Sequence, residues 1–290
     1  MSEAESQLKT FNIEETDGVV RVDKYLAMKL PQYSRAALHK LFQHGLVKSG
    51  DRLLKPGEKI RPGSSFTAQI SPLEEVPDTI DMPIIYEDEN VIVVDKPTGV
   101  ISHSRGRYWQ EPSVASFIRH RVQNPEGERA GIVHRLDRAT SGVMICSKNH
   151  DTMRYLQKQF HDRKVSKTYV AAVTMPPKEA AAIIDAPLGR DPKDPKKFHV
   201  DPNGKNAVTK YTVISENKKS TLLELEPQTG RTHQLRVHLQ YIGRPIIGDD
   251  YYGGKEADRL YLHAHKLTIS LPGGEVKTFV SPVPEKFYEA

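Results

Sequence analysis

Asp137 is a carboxylate between two arginines, Arg135 and Arg138, in the polar segment 134–142 (HRLDRATSG). The apolar run 143–146 (VMIC) follows directly and predicts a buried strand. A polar turn at the mouth of a buried strand is a common place for a reacting group. The neighbouring guanidinium groups favour an ionised carboxylate, and they could also hold a phosphate backbone. Taken alone, the string is more typical of an ordinary surface ion-pair cluster.

Four further polar strings follow a fixed order along the chain. They are 95–100 (DKPTGV), 167–171 (KTYVA), 230–238 (GRTHQLRVH), and 248–253 (GDDYYG) with 262–264 (LHA) after it. Together with HRLD-x-x-TSG, they resemble the ordered motifs of the RluA-type pseudouridine synthases over roughly residues 83–284. Five motifs in order are far more specific than any one of them.

The fold class that we predict is α+β. Predicted strands outnumber helices and often follow one another directly, which favours a mixed, largely antiparallel sheet. The family resemblance implies the same pseudouridine synthase fold, with an active-site cleft across the middle of the sheet. We assign residues 83–290 to this catalytic domain.

The resemblance also implies which side chains carry the reaction. It places the catalytic aspartate at Asp137, as a nucleophile or as the group that stabilises a developing sugar cation; both roles stay open. Tyr169 matches the active-site tyrosine, which can stack on the base and accept a proton. Arg231 matches the arginine that pairs with the catalytic carboxylate, keeping it ionised and aimed.

Other motif positions are expected to contact the substrate. Leu235 matches an apolar residue against the uracil face, and Arg135 matches the side chain that enters the stack after the base has left it. His134, Thr140 and Lys167 belong to the same motifs, and we assign them to substrate binding.

No cofactor is expected. Pseudouridine formation exchanges one glycosidic bond for another without net redox or water, and the chain has no P-loop, GxGxxG or HExxH string. His134, His233 and His238 invite a metal interpretation. The five motifs account for these histidines, and no acidic residues that would support a metal are apparent. We therefore expect no metal.

The N-terminal part predicts a separate small α+β unit. We expect a flexible tail over residues 1–17 and a compact domain over 18–71, in which Ser34 caps a helix spanning 35–44. The string SRAALHKLFQHGLV resembles the S-four RNA-binding domain, named after a ribosomal protein. A small helical cap on the catalytic domain is the alternative. Residues 72–82 are acidic, contain two prolines and predict a linker.

Basic residues of this unit would contact RNA phosphates under the first interpretation. Those that we assign to RNA binding are Arg35, Lys40, Lys48 and Arg52. A second basic segment, 190–207, is either a solvated loop or an arm that grips RNA.

Composition narrows the class of protein. The 290 residues carry a net charge of +5, which fits a polyanionic partner. The single cysteine, Cys146, excludes an internal disulfide and any zinc site built on paired cysteines. No signal peptide or membrane-spanning run is predicted, so we expect a cytoplasmic protein without membrane contact. We also expect a monomer.

The predicted function is therefore an RNA uridine isomerase that acts on large-subunit ribosomal RNA. The same activity on transfer RNA is one alternative, and a non-catalytic RNA-binding assembly factor is another. A serine hydrolase using Ser141 is a third, but no G-x-S-x-G string surrounds that serine.

Overall fold

The computed structural model describes residues 8–74, 80–103, 111–123 and 131–290. These residues form two compact units. The first contains residues 8–74, 103 and 111–116, and the second contains residues 80–102, 117–123 and 131–290. No helix in these ranges is long and apolar enough to cross a membrane.

The first unit combines two helices with short strands around one apolar core. Ser34 caps the second helix as predicted, because its Oγ accepts the Ala37 N–H at 3.2 Å. One sheet has the strand order β1-β6-β3-β4, and β2 pairs with β5. The elements are β1 (Leu8–Asn12), β2 (Val20–Arg21), α1 (Val22–Lys29), α2 (Arg35–Gln43), β3 (Val47–Ser49), β4 (Arg52–Leu53), β5 (Lys59–Ile60), β6 (Ser65–Gln69) and α3 (Ser71–Glu74).

Two boundaries of this unit differ from the prediction. The expected tail over 1–17 is wrong from residue 8 onward, because Leu8–Asn12 forms a strand paired with β6. The expected linker over 72–82 begins too early, because Leu73 in α3 is buried in the core of the first unit. The tail before residue 8 and linker residues 75–79 lie outside the described residues.

The second unit is built on a mixed sheet, and the predicted α+β class is confirmed. Nine described strands form this sheet in the order β11-β14-β15-β10-β16-β9-β8-β7, with β17 also paired to β16. Its pairs are antiparallel except for β9 with β16. The strands of the sheet are β7 (Ile84–Glu87), β8 (Val91–Lys96), β9 (Ser141–Ser147), β10 (Ser166–Val173), β11 (Ala181–Asp185), β14 (Val208–Glu216), β15 (Thr221–Pro227), β16 (Leu262–Ser270) and β17 (Val276–Val280). Two further strands, β12 (Leu188–Arg190) and β13 (Phe198–Val200), pair only with each other.

Strand β9, which follows the Asp137 turn, lies inside this sheet between β16 and β8. All seven of its residues are buried, as its apolar sequence predicts. The parallel contact with β16 requires a glycine at its start. A Cβ on Gly142 would lie 2.2 Å from the carbonyl oxygen of Ala264, and the φ of Gly142 is +116°. The glycine of the first motif thus places the Asp137 turn beside β16.

Three further helices are α4 (Val114–Ile118), α5 (His150–His161) and α6 (Gln234–Tyr241). Asn149 caps α5, and its Oδ1 accepts the Thr152 N–H at 2.9 Å. Helix α6 begins only at Gln234, because His233 adopts a left-handed conformation with φ +57° and ψ +15°.

Candidate active site

The turn that carries Asp137 is held by hydrogen bonds to its backbone. Ser102 Oγ accepts the Leu136 N–H at 3.0 Å, and its hydroxyl donates to the Leu136 carbonyl at 2.9 Å. The Thr140 N–H donates to the Asp137 carbonyl at 3.1 Å, which closes the turn just before β9. The backbone at Asp137 is therefore fixed while the carboxylate faces a cavity.

Lys96 ties the DKPTG segment to this turn. Its side chain is fully buried, and its Nζ donates to the carbonyl oxygens of Pro97, Val100 and Arg138 at 2.9, 2.7 and 3.3 Å. All three of its donors are thus satisfied. Burial lowers the pKa of Lys96 to about 7, although the charge of Asp137 opposes this shift.

We expect the free energy of unfolding to depend on pH through the protonation of Lys96. Between about pH 7 and pH 10.5, the unfolded chain holds a proton on Lys96 that the folded protein has released. The free energy of unfolding of the parent should therefore rise relative to that of Lys96→Met by about 1.4 kcal/mol per pH unit in this window. Below about pH 7 the buried ammonium group lowers the free energy of unfolding by its full, constant amount, and above about pH 10.5 this destabilisation is absent.

Urea unfolding at several pH values measures this difference. Lys266→Met is the matched control, because Lys266 is exposed on β16 and its loss should leave the difference flat. A flat difference for Lys96→Met would contradict the lowered pKa.

All eight residues that the sequence assigned to catalysis or substrate binding line one cavity of about 950 Å³. The cavity also contains several cationic side chains and one carboxylate besides Asp137. The predicted residues are His134, Arg135, Asp137, Thr140, Lys167, Tyr169, Arg231 and Leu235; the further charged residues are Arg163, Glu226 and Arg236.

Asp137 has a different partner from the one predicted. Its Oδ2 lies 3.9 Å from His233 Nε2, and no described arginine lies within 4.0 Å of the carboxylate. Arg231 instead donates from Nε to the carbonyl oxygen of Asn206 at 3.0 Å. The expected Arg231–Asp137 ion pair is therefore wrong for this structure, because the Asn206 carbonyl holds the guanidinium on another wall of the same cavity.

Tyr169 enters the cavity at an irregularity of β10. The register between β10 and β16 shifts between Thr168 and Tyr169, and such bulges re-aim side chains beside active sites. Its hydroxyl forms no hydrogen bond with another described residue. Burial raises the pKa of Tyr169, and the charge of Asp137 raises it further. The phenol is therefore protonated at neutral pH.

His134 serves the scaffold as well as the cavity wall. Its Nε2 accepts the Ile145 N–H from β9 at 3.1 Å, and its ring stacks on Phe160 with centroids 4.6 Å apart. Burial lowers the pKa of His134 to about 3, so the ring stays neutral and can accept this hydrogen bond. His134 thus holds the strand that follows the Asp137 turn.

Two cations of the cavity differ in exposure. Arg135 is exposed and forms no hydrogen bond or ion pair with any residue that the structure describes. Lys167 is partly buried, and burial lowers its pKa.

Two uncharged residues complete this part of the cavity wall. Leu235 is 7% exposed and supplies an apolar surface, and Thr140 is 2% exposed. Charged and apolar surfaces thus meet around Asp137.

A polar network behind Asp137 was not foreseen from the sequence. His233 Nδ1 lies 2.8 Å from Tyr252 Oη, which also accepts the Phe198 N–H at 3.0 Å. Arg236 and Asp249 form a buried bidentate pair at 2.8 and 2.7 Å. His233, Arg236, Asp249 and Tyr252 stand in the GRTHQLRVH and GDDYYG strings, so these residues were visible in the sequence while their pairing was not.

The basic segment 190–207 is anchored next to this network. Strands β12 and β13 pair as a hairpin, and the Arg190 guanidinium lies over the Phe198 ring at 5.3 Å. Three lysines lie between the strands, at Lys193, Lys196 and Lys197. The segment is a hairpin joined to the cavity wall rather than a free loop.

Comparison with known proteins decides the family. A family model described as RNA pseudouridylate synthase matches residues 90–241, more than half of the chain. The chain belongs to the RNA pseudouridine synthase family. The family predicted from the five motifs is thereby confirmed, and the protein is an isomerase.

Individual relatives are similar to this chain over most of its length. The ribosomal large subunit pseudouridine synthase D of Borreliella burgdorferi is 36% identical, covering 93% of this chain and 88% of that protein. An uncharacterized RNA pseudouridine synthase of Bacillus subtilis, YlyB, is 35% identical and covers 93% and 92%. The human RNA pseudouridylate synthase domain containing 1 has a similar structure, with TM-score 0.60 and 27% identity over 72% of this chain and 86% of that chain.

The hydrolase alternative finds no support in this synthase. Ser141 Oγ lies 2.9 Å from His263 Nδ1, but Ser141 is 5% exposed and His263 is 1% exposed. Arg259 donates to the same serine oxygen at 2.6 Å. Ser141 is therefore a buried hydrogen-bonding residue outside the cavity.

The four basic residues assigned to RNA binding lie in the first unit. Arg35 and Lys48 are exposed, and Lys40 is partly exposed. Arg52 is exposed too, but its Nη1 lies 2.6 Å from Glu58 Oε1. Glu58 offsets its charge, so Arg52 is a weaker candidate for a phosphate contact than the sequence suggested.

Proposed function

We propose that this synthase converts uridines of large-subunit ribosomal RNA to pseudouridine, with Asp137 as the reacting carboxylate. The observation that carries the proposal is the position of Asp137, on a fixed turn in a cavity with cationic and apolar walls. Relatives named ribosomal large subunit pseudouridine synthase D, which share 33–36% identity with this chain, support the choice of RNA.

The walls of the cavity suit a uracil that has left its helix. Extruding a base costs roughly a few kcal/mol, which the pocket must offset. Leu235 and the Tyr169 ring offer apolar surfaces for the two faces of the base. Exposed Arg135 is free to enter the gap in the stack, and Lys167 and Arg231 are placed to hold phosphate oxygens.

The carboxylate then acts on the sugar or on the base. The C1′–N1 bond breaks, the uracil turns, and a C1′–C5 bond forms, while the proton on C5 moves to N1 through an acceptor. An anionic oxygen can form a covalent adduct or stabilise a cation at C1′. Tyr169 lies in the same cavity and is the proposed group for the proton movement.

Reaction with unmodified RNA tests the function. Purified protein is incubated with large-subunit ribosomal RNA and, separately, with transfer RNA, and pseudouridines are mapped by carbodiimide modification. We expect new pseudouridines in the ribosomal RNA only. Modification of transfer RNA alone would overturn the proposed substrate, and no pseudouridine in either RNA would overturn the isomerase.

We also propose that the first unit is an S-four-like RNA-binding domain. Its support is the exposed Arg35 of α2 and the exposed Lys48 of β3, together with the basic sequence of that helix. Such contacts hold phosphates and supply affinity with little choice of sequence.

Neutralising these two cations should change the salt dependence of binding. For Arg35→Gln with Lys48→Gln, we expect the slope of log K against log salt to fall by roughly 1 per lost phosphate contact. Lys218→Gln with Lys219→Gln is the matched control, because both residues are exposed in the turn between β14 and β15. Filter binding at several salt concentrations measures the slopes. An unchanged slope for the first pair would refute the RNA role.

A monomer in the cytoplasm is the remaining part of the proposal. The lone cysteine, Cys146, is buried, which fits a reducing compartment where ribosomal RNA is present.

A further inference from the structure

His233 is held in an unusual backbone conformation directly behind Asp137. Its φ of +57° is one of two positive values at non-glycine residues of the described chain. Such conformations carry strain and cluster at functional sites. The strain places the imidazole between two oxygens, with Nε2 3.9 Å from Asp137 Oδ2 and Nδ1 2.8 Å from Tyr252 Oη.

The hydrogen bonds of Tyr252 favour a proton on one particular nitrogen of His233. Tyr252 Oη accepts the Phe198 N–H at 3.0 Å, so its own hydrogen is available to donate to His233 Nδ1. Burial raises the pKa of Tyr252 to about 12, so this hydrogen is present at neutral pH. Burial also lowers the pKa of His233, so the imidazole is neutral there. A neutral imidazole that accepts at Nδ1 carries its proton on Nε2, which faces Asp137.

Tyr252 is itself held by a separate anchor. The Asp249 carboxylate accepts the Tyr252 N–H at 3.1 Å and the bidentate bonds of Arg236. Asp249 is 1% exposed and Arg236 is 5% exposed. Buried charge pairs of this kind fix geometry. The GDDYYG segment thus presents one hydroxyl at a defined place to His233.

We infer that His233 is a positioning residue that orients Asp137, and that Tyr252 sets its tautomer. The Nε2–H donates to Asp137 Oδ2 once the substrate closes the 3.9 Å gap, which leaves Oδ1 to face the reacting carbon. The turn fixes only the backbone of Asp137, so the rotation of its carboxylate needs such a second contact. The inference rests on the proposed catalytic role of Asp137.

Two substitutions at His233 separate this role from a structural one. A glutamine amide can donate near the position of Nε2 without any tautomer, whereas an asparagine amide reaches only the position of Nδ1. Asparagine, however, tolerates the left-handed backbone better than glutamine does. A positioning role therefore predicts that His233→Gln turns over faster than His233→Asn, and a structural role predicts the reverse order.

The tautomer relay is tested by combining substitutions. Tyr252→Phe keeps the ring and should lower kcat on the order of 10- to 100-fold with little change in KM. In the His233→Gln background, the same change should have almost no effect on kcat. Tyr251→Phe is the matched control, because the hydroxyl of Tyr251 bonds to no described residue and the side chain is 43% exposed. Equal losses in both backgrounds would overturn the relay.

A spectrum of the free protein tests the tautomer without any turnover. Two-bond proton–nitrogen correlation of the His233 ring should show the proton on Nε2, and a proton on Nδ1 would overturn the inference. This measurement uses the parent protein, so it tests the tautomer of His233 even if a variant fails to fold. A parent without isomerase activity, or an active Asp137→Asn variant, would instead overturn the proposed function.

Discussion

Asp137→Asn should abolish pseudouridine formation while the protein stays folded and binds RNA with nearly the parent affinity. The amide has the same shape as the carboxylate but cannot attack carbon or stabilise a cation by charge. Among the described residues, the only ion-pair contact of the Asp137 carboxylate is His233 at 3.9 Å, so this side chain supports little of the fold. The melting temperature should therefore change by no more than a few degrees.

Single-turnover kinetics at saturating protein measure the chemical step of this variant. Asp151→Asn is the matched control, because Asp151 lies on α5 with 88% of its side chain exposed, and it should react at the parent rate. If Asp137→Asn kept a rate within about tenfold of the parent, the barrier would have changed by only ~1.4 kcal/mol. Asp137 would then not be the reacting group.

Tyr169→Phe should give the second largest effect, a very slow reaction with normal RNA binding. The ring remains and can still stack on the base, an interaction worth ~1–3 kcal/mol per base. The missing hydroxyl is the group proposed to move the proton from C5. Because the pKa of Tyr169 is raised, its phenol is protonated and must pass on its own proton as it receives another. N1 of the turned uracil, which must gain a proton, is the acceptor that we propose.

Tyr169→Leu distinguishes the two uses of the side chain. It removes the ring as well as the hydroxyl, so RNA binding and the chemical step should both suffer. Tyr155→Phe is a control on α5, where the hydroxyl contacts Ser270 and Leu271 outside the cavity. A Tyr169→Phe variant that reacts near the parent rate while Tyr169→Leu does not would show that Tyr169 is only a stacking surface.

The sequence alone was sufficient for the family and for the cavity residues. The five motifs identified Asp137, Tyr169, Arg231 and Leu235, and all of them line one cavity. The motifs could predict these cavity residues because a reaction needs particular side chain types at particular positions, and short strings of sequence record both. The caps at Ser34 and Asn149 were predictable for the same reason, since a cap depends on residues three positions apart.

The partner of each charged group was decided by the tertiary structure. Arg231 was expected to pair with Asp137, but the Asn206 carbonyl, 25 residues away in sequence, holds its guanidinium. His233 takes the place beside Asp137 because a left-handed backbone turns it there, and Tyr252 reaches it from another segment. Hydrogen bonds and ion pairs depend on distances of a few ångströms between segments distant in sequence. Residue types and spacing do not contain those distances, so only the folded sheet could assign the pairs.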